Sequence, residues 1–373
     1  MKPAYQPIFQ PFTFQPGGVH LKSRIVMAPM THLSSNEDGS ISDEEIRYYT
    51  RRAKGVGMVI TAATYVSAQG GINGAPGADR DELIPGLSRL AAAIQAEGAK
   101  AVLQIFHAGR QGSKTGDVVS SGTIPEEREG APIPRELTEP EIHGLVQAYA
   151  DAAGRAVEAG FDGVEIHGGN GNLLHQFYSP YTNRRSDSFG GSLEKRMTFP
   201  LAVARKVLQT VRDRAKKPFI VGYRLSPEEP ETPGITMSDT LAFVDALSTV
   251  GLDYLHISLK DFRSVPRRGV TDTRSRLEII QERAGHELPV IGVGSVHTPE
   301  DALEALQAGI PLIAVGRELI MEPEWGELIR QGREDEIRTT LSLNDRQALT
   351  IPDPMWKLML SIPGWFPVED SRE

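Results

Sequence analysis

His167 and Asn170 stand on either side of two glycines, directly after the apolar run Gly163-Val164-Glu165-Ile166. A neutral imidazole carries one N–H and a carboxamide carries two. Side by side, such groups grip one oxygen and draw electron density toward it. Gly168 and Gly169 keep bulk away and let the chain turn tightly beneath a flat ligand. A lone histidine is more often satisfied inside a packed wall, so the deciding question is which other residues meet this one.

Those residues need a scaffold, and the chain alternates short apolar runs with amphipathic segments. The runs predict strands at Ile25–Ala28, Met58–Thr61, Ala101–Phe106, Gly163–His167, Phe219–Arg224, Tyr254–Ser258, Pro289–Val293 and Leu312–Val315. Several are apolar on consecutive residues, which suits strands covered on both faces. Between them, Ser42 with Glu45 has the spacing of a helix N-terminal capping box, and Thr138-Glu139-Pro140-Glu141 starts another helix, with proline near the first turn where its missing N–H costs little. Ser192–Arg214 and Thr298–Ala308 follow the same logic. Eight such units match a single (β/α)8 TIM barrel over residues 1–373. An open doubly wound sheet is the alternative built from the same units. Residues 1–22 read as an N-terminal β-hairpin cap turning at Pro16-Gly17-Gly18. Residues 107–137 form a long loop after the third strand, over the catalytic face. Residues 345–373 form a C-terminal tail whose Ile362–Pro367 is apolar enough to dock on its own barrel or a neighbour's.

Composition removes several classes of function. A net charge of −9 argues against a nucleic-acid partner and gives no support for anchoring to anionic lipid. With no cysteine, disulfides, iron–sulfur clusters, thiolate zinc sites and thiol catalysis are excluded. No metal site is expected. No apolar run reaches the roughly 18 residues of a membrane span, so a cytoplasmic location is expected.

In a barrel, the site forms at the C-terminal ends of the strands. There the chain offers Pro29, Met30 and Thr31, then Ala63, Gln104, His107 and Arg224. Gly294 and Ser295 follow the seventh run; Gly316 and Arg317 follow the eighth. Loops at those two places often cradle a phosphate with backbone N–H groups, and an arginine adds a bidentate donor. The same glycines, read alone, are tight turns. Thr31, Gln104 and Arg224 would then fringe a polar heterocycle joined to that phosphate.

The spacing of Leu174-His175-Gln176-Phe177, Ser179-Pro180, Asn183, Arg185, Asp187 and Phe189-Gly190-Gly191-Ser192-Leu193-Glu194-Lys195-Arg196 is specific. With Arg24–Thr31, Ile60–Thr64, Gln104, His107–Arg110 and Gly316-Arg317, the chain resembles the old yellow enzyme family of FMN-dependent (β/α)8 oxidoreductases over nearly its whole length. The resemblance implies non-covalent FMN, NADH or NADPH as reductant, and ping-pong reduction of an activated alkene: an enone, a nitroalkene or a quinone. It implies that Thr31 bonds the flavin near O4 and that Pro29, Met30 and Ala63 line the ring. Gln104 and Arg224 would hold the pyrimidine edge, where a guanidinium stabilises the charge of the reduced ring. Gly294, Ser295, Gly316 and Arg317 would clamp the phosphate. His167 and Asn170 would bind the substrate's carbonyl or nitro oxygen.

The chain also departs from the family. Most relatives carry a tyrosine, read as the proton donor, where this sequence has Asn172, and an amide is not a practical acid. Tyr178, Tyr181 or water would then supply the proton, unless both tyrosines simply pack the loop. Leu33 replaces an aromatic residue that some relatives turn toward the substrate. The loop Arg263–Arg268 reads as a solvated basic loop or as a contact for the nicotinamide cofactor's phosphate. Two other functions fit parts of the pattern. One is an aldolase or lyase using Lys260 for a Schiff base; the other is an FMN-binding barrel with weak or lost ene-reductase activity. Relatives often dimerise, so a homodimer is one reading, and the oligomeric state stays open.

Overall fold

The computed structural model describes residues 1–15 and 18–369. Eight parallel strands form: β1 (Ile25–Met27), β2 (Met58–Ile60), β3 (Lys100–Phe106), β4 (Gly163–Gly168), β5 (Ile220–Leu225), β6 (Tyr254–Ile257), β7 (Val290–Val293) and β8 (Leu312–Val315). Each pairs with its sequence neighbours, and Ile313 of β8 opposite Ile25 of β1 closes the ring. That last pairing excludes the open sheet. All eight runs expected from sequence are present. Their ends differ by a residue or so: Gly168 and Leu225 extend their strands, while Pro289, with no N–H to donate, stays outside.

Helices α1 (Asp43–Ala53), α2 (Ile84–Ala96), α3 (Glu139–Glu158), α4 (Leu193–Arg214), α5 (Met237–Ser248), α6 (Arg276–Ala284), α7 (Pro299–Gln307) and α8 (Trp325–Gln331) wrap the ring. Ser42 with Glu45 forms the reciprocal N-terminal bonds that its spacing predicts, and Thr138 forms the same pair with Glu141. Ser192 accepts from the Lys195 N–H, and Thr298 pairs with Asp301 in the same way. These bonds satisfy backbone donors that a helix start otherwise leaves bare.

Inside the ring, Val26, Met58, Val102, Ile220, Tyr254, Ile291 and Leu312 form a dry core. The N-terminal segment seals its floor. Phe12–Thr13 pairs antiparallel with His20–Leu21, and Phe14 reaches the Tyr254 ring with centroids 5.6 Å apart. The expected turn at Pro16 and Gly17 lies outside the described residues. A 3-10 helix, Pro3–Phe9, precedes this hairpin, and the hairpin pattern gave no sign of it. The loop 107–137 carries its own small parallel pair, Val119–Ser120 with Arg135–Glu136. The C-terminal tail docks on its own barrel: Leu341 N–H bonds the Pro367 carbonyl at 2.8 Å, and Arg317 Nη1 donates to the Trp365 carbonyl at 3.1 Å. Residues 370–373 of that tail lie outside the described residues.

Gly222 in β5 shows how tight the interior is. A methyl group there would overlap the ring of Tyr254, which is fully buried and has no free direction to move. Gly222→Ala is therefore expected to destabilise the protein by about 1–3 kcal/mol, the usual cost of overpacking. Urea unfolding of the variant beside wild type checks this; an unchanged midpoint would refute it.

Candidate active site

Two adjoining cavities, of about 170 and 500 Å³, open at the C-terminal ends of the strands and share Arg224 as a wall. The first is lined by Pro29, Thr31, Ala63, Gln104, His167 and Asn170, with His32, Leu33, Gln111 and Asn172 at its sides. The second is lined by Met30, Gly294, Ser295, Gly316 and Arg317, with Lys260 and the tail residues Ile362–Trp365. The residues singled out from sequence as oxygen-gripping or cofactor-binding thus share one continuous groove.

The floor of the first cavity is a buried polar layer. Side chains alternate along a strand, so Glu165 points inward like His167, two residues on. The register sets Gln104 beside Glu165 and sets Arg224 beside both His167 and His256. Glu165 accepts from Gln104 Nε2 at 2.7 Å through one oxygen and meets His256 Nδ1 at 2.9 Å through the other. Burial pushes the Glu165 carboxyl up, but His256, Arg224 and Gln104 outweigh it and hold the group below its ordinary value. Burial lowers His256 despite that carboxylate, so the imidazole is the neutral donor of the pair. Arg224 is buried too, and its Nη2 bonds Ser258 Oγ at 3.2 Å while its Nε has no partner.

His167 is 4% exposed. Burial, then Arg224, drives its pKa down to about 3, so it is neutral near neutral pH. Its Nε2 lies 3.0 Å from Nδ2 of Asn172, which also donates to the Gly169 carbonyl at 3.2 Å. An amide nitrogen is a donor, so Nε2 accepts and the ring proton sits on Nδ1. That Nδ1 is buried and has no protein partner. Asn170 adopts φ 54°, a left-handed backbone that asparagine tolerates better than most residues. Ser226 and Ser258 hydroxyls donate to its Oδ1 at 3.1 and 2.7 Å, which leaves the NH2 end free. His167 and Asn170 therefore do not bond each other. Asn172, which sequence comparison marked only as a missing acid, is the residue that orients the imidazole.

Other expectations change with the geometry. Tyr178 stacks on Phe243, with centroids 4.5 Å apart, and spends its hydroxyl on the Asp239 carbonyl. Tyr181 bonds Glu127 at 3.0 Å. Neither lines either of these two cavities, so the structure brings no substitute proton donor to them from these two tyrosines. The helix Leu173–Tyr178 and the turns after it hold them in packing roles. The motif around them is a brace: His175 pairs with Glu229 at 2.8 Å, Asn183 Nδ2 donates to the Phe177 and Phe189 carbonyls, and Arg185 donates to the Leu137 carbonyl. Gln176 ties the Ala108 and Gly171 carbonyls at 3.0 and 2.6 Å. Arg263 is spent on Asp301 and Glu304, and Arg268 on Thr232 and two carbonyls. None of Arg263, Arg267 and Arg268 lines either cavity.

The donor set fits a polar heterocycle with a phosphate tail. Gln104 has its amide nitrogen committed to Glu165, so its oxygen is the end left to accept. Arg224 has donors to spare. At the other end Gly294 has φ 127°, and a Cβ there would lie 2.7 Å from the Leu259 carbonyl oxygen, so only glycine fits. Ser295 follows at φ 51°, with Arg317 and Lys260 as the cations of that cavity. Among the described residues, no three His, Asp or Glu side chains come together as a metal site, and no helix is long and apolar enough to cross a membrane.

Residues 7–336 match the model of the NADH:flavin oxidoreductase / NADH oxidase family. The chain is 49% identical to a probable NADH-dependent flavin oxidoreductase, YqiG, of Bacillus subtilis (strain 168), over 99% of this chain and 100% of that protein. It is 41% identical to an NADH:fumarate oxidoreductase of Klebsiella pneumoniae (strain 342), over 95% of this chain but only 39% of that longer protein. The solved old yellow enzyme homologue of Zymomonas mobilis superposes with a TM-score of 0.75 at 27% identity, over 87% of this chain and 92% of that one.

The neutral His167 has a consequence for stability. An unfolded histidine titrates near 6.5 and the folded one at about 3, so the unfolded chain binds more protons between those values. The stabilising contribution is complete above pH 6.5 and is lost as pH falls toward 3, at up to about 1.4 kcal/mol per pH unit. His167→Gln is expected to flatten the fall in stability between pH 6.5 and 5. Urea midpoints of both proteins across that range measure it, and parallel curves would contradict a neutral His167.

Proposed function

Because this chain belongs to the NADH:flavin oxidoreductase / NADH oxidase family, and is a flavin oxidoreductase reduced by a nicotinamide nucleotide, we propose that it reduces activated alkenes whose carbonyl or nitro oxygen is held by His167 and Asn170. FMN, when bound, supplies the hydride chemistry, taking a hydride from NADH or NADPH and passing it to the acceptor. Gln104 and Arg224 would hold its pyrimidine edge, Thr31 its O4 side, and Pro29, Met30 and Ala63 its flat face. Gly294, Ser295, Gly316 and Arg317 would hold its phosphate. The family excludes the aldolase or lyase alternative, and Lys260 becomes a cation of the phosphate cavity.

The observation that carries this reading is the buried Nδ1–H of His167, which finds no partner in the protein, beside an Asn170 whose NH2 end is free. Leaving a buried donor unmade is costly, and an oxygen arriving with negative charge satisfies it. Each donor aimed at such an oxygen contributes about 3–4 kcal/mol to the transition state in comparable sites. A neutral imidazole keeps this role unchanged across physiological pH.

Proton delivery points to a second reading. Among the residues lining the ring-end cavity there is no Tyr, Asp, Glu or Lys, and Asn172 stands where the family resemblance would place the acid. Water must then protonate the α-carbon of an alkene. Quinones take their protons on oxygen, directly from solvent, and are the favoured acceptors if carbon protonation is slow.

One anaerobic experiment tests both. Purified protein should be yellow, bleach with NADH or NADPH, and regain colour with cyclohexenone or a quinone. Colour returning with the quinone far faster than with cyclohexenone supports the second reading. Return with neither means a flavin protein without this activity. His167→Ala/Asn170→Ala should weaken enone binding at least tenfold while FMN affinity holds; unaltered enone affinity would remove the pair from its role.

A further inference from the structure

The reaction above leaves Glu165 without a function, although burying a carboxylate this deeply is expensive unless its partners need it. Glu165 is 0% exposed and sits directly beneath the ring-end cavity, touching Gln104 above and His256 to the side. We infer that Glu165 is a positioning residue for the flavin, one that turns the Gln104 carbonyl toward the ring and offsets the charge of Arg224. This inference rests on the FMN reading of the groove.

The first half of the argument is donor chemistry. An ionised carboxylate only accepts. Gln104 must therefore offer its NH2 group to Glu165, at 2.7 Å, and its Oε1 accepts no bond from the protein. The cavity wall then reads as an acceptor at Gln104 followed by donors at Arg224. The pyrimidine edge of a flavin offers one ring N–H flanked by carbonyl oxygens, the complementary pattern. Without Glu165 the Gln104 amide turns either way, and half its orientations present a donor to a donor.

The second half is charge. Arg224 carries a fixed positive charge in the barrel interior, because guanidinium does not deprotonate in proteins. Glu165 supplies the nearest buried negative charge, and His256, a neutral donor to it, adds none. Tyr254, below it on β6, stays protonated, its ionisation opposed by burial and by Glu165. His167 above is neutral as well. The field felt at the ring is that of an arginine partly cancelled by a carboxylate. Removing the carboxylate favours the reduced, negatively charged ring, so the potential rises.

Glu165→Gln separates the two halves, since it keeps an acceptor and removes the charge. The FMN-loaded variant is expected to have a more positive midpoint potential than wild type, and Glu165→Asp a potential close to wild type. Equal shifts in the two variants, or none in Glu165→Gln, overturn the charge role. FMN affinity, measured by flavin fluorescence on titration, should fall on the order of tenfold in Gln104→Met with the potential little moved. Should Glu165→Gln not fold, that second variant decides: an unchanged FMN affinity overturns the orientation role. Wild-type protein that binds no FMN would instead defeat the parent reading of the groove, before any variant is compared.

Discussion

A guanidinium buried in the mouth of a closed barrel is the charge around which this site is arranged. Arg224 borders both cavities and is only 7% exposed. Its charge is answered by Glu165 below and handed outward through Ser258 to Asn170. The same field helps to keep His167 neutral. In such surroundings the effective dielectric is low, so a displaced hydrogen bond costs more than it would at the surface. The layer is built from Gln104, Glu165, Arg224 and His256 on β3 to β6, each with at least one hydrogen-bond partner.

What holds that layer still is not the groove itself. The long motif after β4 spends its histidine, glutamine, asparagine and arginine side chains on backbone carbonyls and on Glu229. These bonds fix the turn that carries His167, Asn170 and Asn172. Buried hydrogen bonds of this kind over-determine one conformation and make it expensive to leave. Asn170, at φ 54°, is held in that turn by its own N–H, which donates to Ser226 Oγ at 2.8 Å. The most family-specific stretch of sequence is therefore a scaffold, and the chemistry sits at its first few residues.

Much of this was legible from residue types and spacing. The eight apolar runs, the capping boxes and the glycine turns after the last two strands are local patterns, and local patterns survive without knowledge of the fold. Glu165 was within reach as well: it lies two residues before His167 on one strand, hence on the same face. It was missed because a single charged residue in an apolar run says nothing of its partners. The contact between Asn172 and His167 was not legible. Two residues five apart meet only because Gly168, Gly169 and Gly171 fold the chain back, and no pairing rule predicts that. Tyr178 and Tyr181 left two roles open, acid or loop packing, because closeness along the chain does not fix which way a side chain faces. Packing turned one onto Phe243 and the other toward Glu127.

The sequence by itself determined eight strand–helix units and the identity of the groups at the strand ends, because strand periodicity and strand ends are properties of neighbouring residues; closure into a barrel was decided by the pairing of β8 with β1. The sequence also determined that no thiol and no cysteine-bound metal takes part, since the chain has no cysteine. Only the tertiary structure decided the state of those groups: which nitrogen of His167 bears the proton, which end of Gln104 faces out, and which carboxylate balances Arg224. The physical reason is that protonation and amide orientation are set by the partners a side chain meets. Closure of the barrel brings those partners together from strands β3 to β6, far apart along the chain.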